Sequence, residues 1–140
     1  FYNILETCYR KFGAYKERLI SFTQTGKEGA KKINEMMNSF RYNSPKKLGS
    51  KKIIQIDDYL ISKRFKPLPN HKVNIDLPKS NVIIYKLEDN SRIAIRPSGT
   101  EPKIKFYFSV NYKMGENESW KEVEQKLDTK INKLIETLNL

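Results

Sequence analysis

Period-two alternation is the clearest signal in this chain. From Lys103 to Val110, Ile104, Phe106, Phe108 and Val110 fall on one side while Lys103, Lys105, Tyr107 and Ser109 fall on the other, the pattern of a strand with one face in a core. Val82 to Leu87 and Arg92 to Arg96 read as a hairpin joined through Glu88-Asp89-Asn90-Ser91, whose side chains favour tight turns and tolerate positive φ. In its second strand Ile93 and Ile95 point one way, and Arg92, Ala94 and Arg96 the other.

Other segments switch to helical spacing. Ser119 and Glu122 form a capping box ahead of Trp120, Val123, Leu127, Ile131, Leu134 and Leu138, which predicts a long amphipathic helix. Thr25, three residues before Glu28, predicts a second capping box and a helix that turns Ala30, Ile33, Met37 and Phe40 toward a sheet and ends at Asn43-Ser44-Pro45. Lys16 to Gln24 reads as a linker running into a strand centred on Leu19 to Thr23, and Lys52 to Leu60 as another strand. Asn3 to Phe12 resembles the last turns of a helix stopped by Gly13. Residues 62–81, with Pro67, Pro69 and Pro78 and little periodicity, are expected to be an extended loop. These elements predict an α+β fold: a largely antiparallel sheet of about four strands with two helices on one face, preceded by an N-terminal helical remnant.

Composition narrows the classes. A chain of 140 residues with 38% hydrophobic residues and a mean hydropathy of -0.69 has room for one core. No apolar run of membrane-spanning length occurs. The single cysteine, Cys8, excludes an intrachain disulfide and points to a reducing, cytoplasmic setting. His71 is the only histidine, which removes a histidine-based metal site or catalytic triad. A net charge of +11 raises a nucleic-acid or general anion-binding module as the competing class, with Lys63-Arg64-Phe65-Lys66, Lys46-Lys47 and Lys51-Lys52 as its footprint. The cations are spread over every segment rather than gathered on one element, which argues against it.

The candidate chemistry lies between the two clearest strands, in Arg96-Pro97-Ser98-Gly99-Thr100 and the run to Lys105. Arg96 offers a planar fork of donors suited to two oxygens of a phosphate. Ser98 and Thr100 add hydroxyls, and Gly99 between them permits a positive-φ turn that would aim backbone amides at one anion. Pro97 and Pro102 restrict the loop, so less ordering entropy is lost on binding. Lys105 comes from the next strand as a point charge, and period-two geometry would set it beside Arg96. An ordinary hairpin turn uses the same small residues; the arginine before them and the cation after them set this loop apart.

The run RPSGTEPKIKFY at residues 96–107 resembles the phosphate-binding loop in the fourth and last domain of the α-D-phosphohexomutases, the phosphoglucomutases and phosphomannomutases. FGAYKERLISFTQTGKEGAKKI at 12–33 and LPKSNVIIYKLEDNSRIAIRPSGTEPKIKFYF at 77–108 are similar in the same order, closer to the phosphoglucomutase and phosphopentomutase branch. The resemblance implies that Arg96, Ser98, Gly99 and Thr100 surround the substrate's phosphate, with Lys105 where many members carry arginine. It implies residues 1–15 as the end of the third domain and a hinge, and 16–140 as the C-terminal domain. The implied ligands are glucose 1-phosphate, glucose 6-phosphate and glucose 1,6-bisphosphate, and the implied partners are the three other domains of the polypeptide. The family's phosphoserine, its Mg2+ loop and its sugar-recognition loop have no counterpart in these residues. Asp57-Asp58 and Glu88-Asp89 lack the spacing of that metal loop. The Mg2+ of the whole enzyme is therefore expected outside this chain, and the chain by itself is expected to be inactive.

Overall fold

A computed structural model describes residues 13–67, 70–115 and 117–138. The helical expectation for Asn3 to Phe12 lies outside them. Eight strands and two helices follow in order: β1 (Ala14–Thr23), α1 (Gly29–Tyr42), β2 (Lys47–Leu48), β3 (Lys51–Asp58), β4 (Lys63–Pro67), β5 (Asn70–Asn74), β6 (Ile83–Leu87), β7 (Arg92–Pro97), β8 (Lys103–Tyr112) and α2 (Trp120–Thr137). The sheet order is β1-β8-β7-β6-β3-β4-β5, with β2 pairing β3 off that path. Every pairing is antiparallel.

The alternation in β6, β7 and β8 decides which face is dry. Ile83, Tyr85, Leu87, Ile93, Ile95 and the four odd-one-out residues Ile104, Phe106, Phe108 and Val110 are all within 1% of full burial. Ile33 and Met37 of α1, and Val123, Leu127, Ile131 and Leu134 of α2, join the same cluster, so both helices cover one face. Burial of each such side chain contributes roughly 1.5–3 kcal/mol. Phe106 is the hub: Phe22 and Phe40 meet it edge-on at 5.9 and 5.5 Å, and Phe108 stacks at 6.4 Å.

Local chemistry closes the ends of these elements. The capping box before α2 is formed, the Ser119 side chain accepting from the Glu122 amide at 3.3 Å and Glu122 accepting from the Ser119 amide at 3.4 Å. The hairpin turn between β6 and β7 passes through Asn90 at φ 69°, and the Asp89 carboxylate accepts from the Ser91 amide at 3.0 Å. α1 starts differently from the expectation. Its N-cap is Glu28, which makes no side-chain capping bond, because the chain turns at Gly26 (φ 95°) and leaves Thr25 outside the helix. Ala30 is exposed rather than packed on the sheet.

Residues 62–81 are not one extended loop, and among the described residues the sheet has eight strands rather than about four. Lys63–Pro67 and Asn70–Asn74 pair as β4 and β5, with Phe65 opposite Lys72 and Arg64 opposite Val73. The pair extends the sheet past the helices, so its strands have no core to face and need no apolar alternation. A cation over a ring replaces burial there: Lys72 Nζ sits 5.3 Å from the Phe65 centroid.

Candidate anion-binding site

β7 and β8 run side by side up to the loop that joins them. Register sets Arg96 directly opposite Lys105 and Pro97 opposite Ile104. Both cations belong to the set that alternates away from the helices, so they project together from the uncovered face. Arg96 is exposed and Lys105 half-buried. Among the described residues neither is within ion-pair distance of a carboxylate, and the acid of the loop, Glu101, turns to Lys103 at 3.2 Å instead.

The loop is held at its base and open at its tip. The Ser98 amide donates to the Lys103 carbonyl and the Lys103 amide to the Glu101 carbonyl, each at 2.8 Å. That use of the Ser98 amide removes it from the donors available to an anion; the Ser98 hydroxyl and the Gly99 and Thr100 amides make no hydrogen bond among the described residues. Ser98 is half-buried, and Gly99 and Thr100 are exposed. Gly99 does not take the positive φ expected of it. Its missing side chain leaves open space, since a Cβ there would meet nothing within 4 Å. The distinguishing feature of this glycine is the open space beside the backbone rather than a left-handed turn.

A glycine overlooked in the sequence fixes the loop from behind. A Cβ on Gly29 would lie 2.3 Å from the Gln24 carbonyl and 3.1 Å from Pro102 Cβ. The Gln24 amide in turn donates to the Pro102 carbonyl at 2.8 Å. The first turn of α1 is thus seated against the loop, and Ala30, Ile33 and Asn34 share with Pro97 to Pro102 a groove of about 340 Å³. The groove is bounded by the side of α1, through Ala30, Ile33 and Asn34, rather than by its N-terminal amides. A glycine opening a 14-residue helix was the available signal, because glycine is a poor helix former and usually has a packing reason there.

The paired acids have structural duties. Asp58 accepts from Arg41 Nε at 2.9 Å with both side chains 3% exposed, and Arg41 also donates to Asn81 at 2.6 Å. Asp57 takes a two-point contact from Arg64 at 2.8 and 3.1 Å, which raises the Arg64 pKa further through the hydrogen bond and the charge of Asp57. Among the described residues no three His, Cys, Asp or Glu side chains could hold a metal ion together.

Residues 62–111, which contain this loop, match the family described as phosphoglucomutase/phosphomannomutase, C-terminal domain. A phosphoglucomutase of Staphylococcus aureus strain bovine RF122 is 41% identical over 127 residues, covering 91% of this chain and 22% of that protein. Another, from strain MRSA252, is 45% identical over 106 residues, covering 76% and 19%. The phosphoglucomutase of Staphylococcus saprophyticus is 35% identical over 136 residues, covering 96% and 24%. The chain therefore spans less than a quarter of the length of these relatives, and the match includes the loop, the strands that carry it and the helix behind it. The chain is thus similar to the C-terminal domain of the phosphoglucomutases and phosphomannomutases over residues 62–111, and to phosphoglucomutases over most of its length.

Proposed function

We propose that this chain is the part of a phosphoglucomutase-like enzyme that holds the substrate's non-reacting phosphate, with Arg96, Ser98, Gly99, Thr100 and Lys105 as its contacts. The observation that carries the reading is the Arg96–Lys105 register at the mouth of the loop, two cations side by side without a carboxylate partner among the described residues. Arg96 supplies a fork for two phosphate oxygens, Lys105 a point charge, Ser98 and Thr100 hydroxyls, and Gly99 room for the anion to come against the backbone.

In the reaction of the whole protein, a phosphoryl group moves between C1 and C6 of a hexose through glucose 1,6-bisphosphate or its counterpart, which turns around between the two half-reactions. A loop that holds the spectator phosphate in either orientation supplies remote binding energy at the reacting centre. The preceding residues, 1–15, would be the end of the third domain and the hinge on which residues 16–140 close over the substrate, a gating motion. No residue of this chain is assigned a proton transfer; the phosphoserine and the Mg2+ belong to the other domains, and the chain alone would not turn over glucose 1-phosphate or glucose 6-phosphate. The setting is cytoplasmic.

Titration of the chain with inorganic phosphate and with glucose 6-phosphate, followed by amide NMR, is expected to shift residues 96–105 selectively at millimolar ligand. In the polypeptide with all its domains, Arg96→Ala is expected to lower kcat/KM by about 2–4 kcal/mol, the cost of losing a charged hydrogen-bond partner of the substrate. An unchanged kcat/KM, or shifts spread evenly over the lysines, would sink the reading and favour a general polyanion surface.

A further inference from the structure

The uncovered face of the sheet is ordered in three rows next to the loop. Ser21, Lys105 and Arg96 stand in register in the first. Leu19, Tyr107, Ala94 and Ile84 form the second. Glu17, Ser109, Arg92 and Lys86 form the third. Alternate residues of one strand are about 6.8 Å apart, so the rows step away from the cation pair at that interval.

The second row, with Glu17, Ser109 and Arg92 of the third, lines a shallow cavity of about 410 Å³. Ala94 stands in it between its register partners Tyr107 and Ile84. Tyr107 is 37% exposed and Leu19 51%. The Tyr107 hydroxyl makes no hydrogen bond among the described residues, and Glu17 and Arg92 make no ion pair among them. Of the five arginines in the described residues, Arg18, Arg41 and Arg64 are paired with acids; the other two, Arg92 and Arg96, stand at opposite ends of this surface.

We infer that this surface, with Tyr107 at its centre, receives the sugar ring of the phosphate ester held by Arg96 and Lys105, a specificity role that rests on the phosphate-binding reading above. A pyranose has an apolar C–H face and a rim of hydroxyls. The aromatic row suits the first, since an aromatic ring gives a large rigid contact at little entropic cost. The third row suits the second: a carboxylate, a hydroxyl, a guanidinium and an ammonium in succession supply both acceptors and donors.

The test compares glucose 6-phosphate with inorganic phosphate on the same chain. Glucose 6-phosphate is expected to bind about tenfold tighter, and Tyr107→Leu to weaken it by about 5- to 10-fold while changing inorganic phosphate by less than about twofold. Amides of residues 17, 92, 94, 107 and 109 in the unsubstituted chain should move with glucose 6-phosphate and stay still with inorganic phosphate, a readout that does not depend on any variant folding. Equal affinities with no shifts on those rows would overturn the platform and leave the phosphate site standing. Binding of neither ligand would remove both.

Discussion

The two faces of one sheet treat charge in opposite ways. On the covered face, cations are matched: Lys16 and Arg18 reach Asp128 of α2 at 2.6 and 2.9 Å, and Arg41 is sealed against Asp58 with both side chains 3% exposed. The Lys16 hydrogen bond, aided by both cations' charge, holds the Asp128 carboxyl below its ordinary range. On the uncovered face Asp57 and Arg64 pair at the far edge, whereas Arg92, Arg96 and Lys105 have no carboxylate among the described residues. Matched charges fasten elements together, and unmatched charges held in register are available to a ligand. A formal +11 therefore says less about function than which cations lack a partner.

The largest effect expected to break this comparison comes from the sealed pair. Arg41→Ala leaves Asp58 buried without its countercharge and should cost about 3–5 kcal/mol in urea unfolding. Arg96→Ala, on the open face, should move stability by less than about 0.5 kcal/mol. Equal losses from the two would mean that Arg96 is a structural residue after all. Replacing both members of the buried pair by apolar residues of similar volume should recover much of the loss, because the uncompensated charge is then gone.

Much of this division was legible in the sequence. Period-two alternation set the dry face of β6, β7 and β8, and it put Arg96 and Lys105 on the opposite face before any pairing was known. Ser119 and Glu122 marked the start of α2 for the same reason: the chemistry acts within four residues. What escaped depended on contacts distant in sequence. The β4–β5 pair is stabilised by backbone pairing and by Lys72 on Phe65, neither of which leaves an apolar pattern. Thr25 matched a capping spacing, but the turn at Gly26 and the tie from Gln24 to Pro102 decide where α1 begins. Gly99 suggested a positive-φ bend from its neighbours alone, whereas its backbone conformation is ordinary and the space beside it is the feature.

The next effect in size concerns how the covered side supports the open one. Gly29→Ala drives a methyl toward the Gln24 carbonyl and Pro102, and relief requires the start of α1 or the loop to shift. Overpacking of this kind costs about 1–3 kcal/mol. The informative readout is phosphate affinity, which should fall along with stability, because the displaced backbone carries Ser98 to Glu101. A loss of stability with unchanged phosphate binding would show that the loop keeps its shape without the helix behind it.

Lys105→Arg should give the smallest change and refines what the open face does. Arginine and lysine carry the same charge, so a surface that merely attracts anions would not distinguish them. A phosphate seated between two fixed strands would, because the guanidinium presents two parallel donors where the ammonium presents a point charge. With Arg96 directly opposite in register, the added fork should tighten binding of inorganic phosphate by about two- to fivefold, while stability stays within about 0.5 kcal/mol. A fall in affinity would mean that the compact ammonium is the better fit between Arg96 and Ser21, its register partner on β1. No change at all would place Lys105 outside the contact and leave Arg96 and the loop to hold the anion.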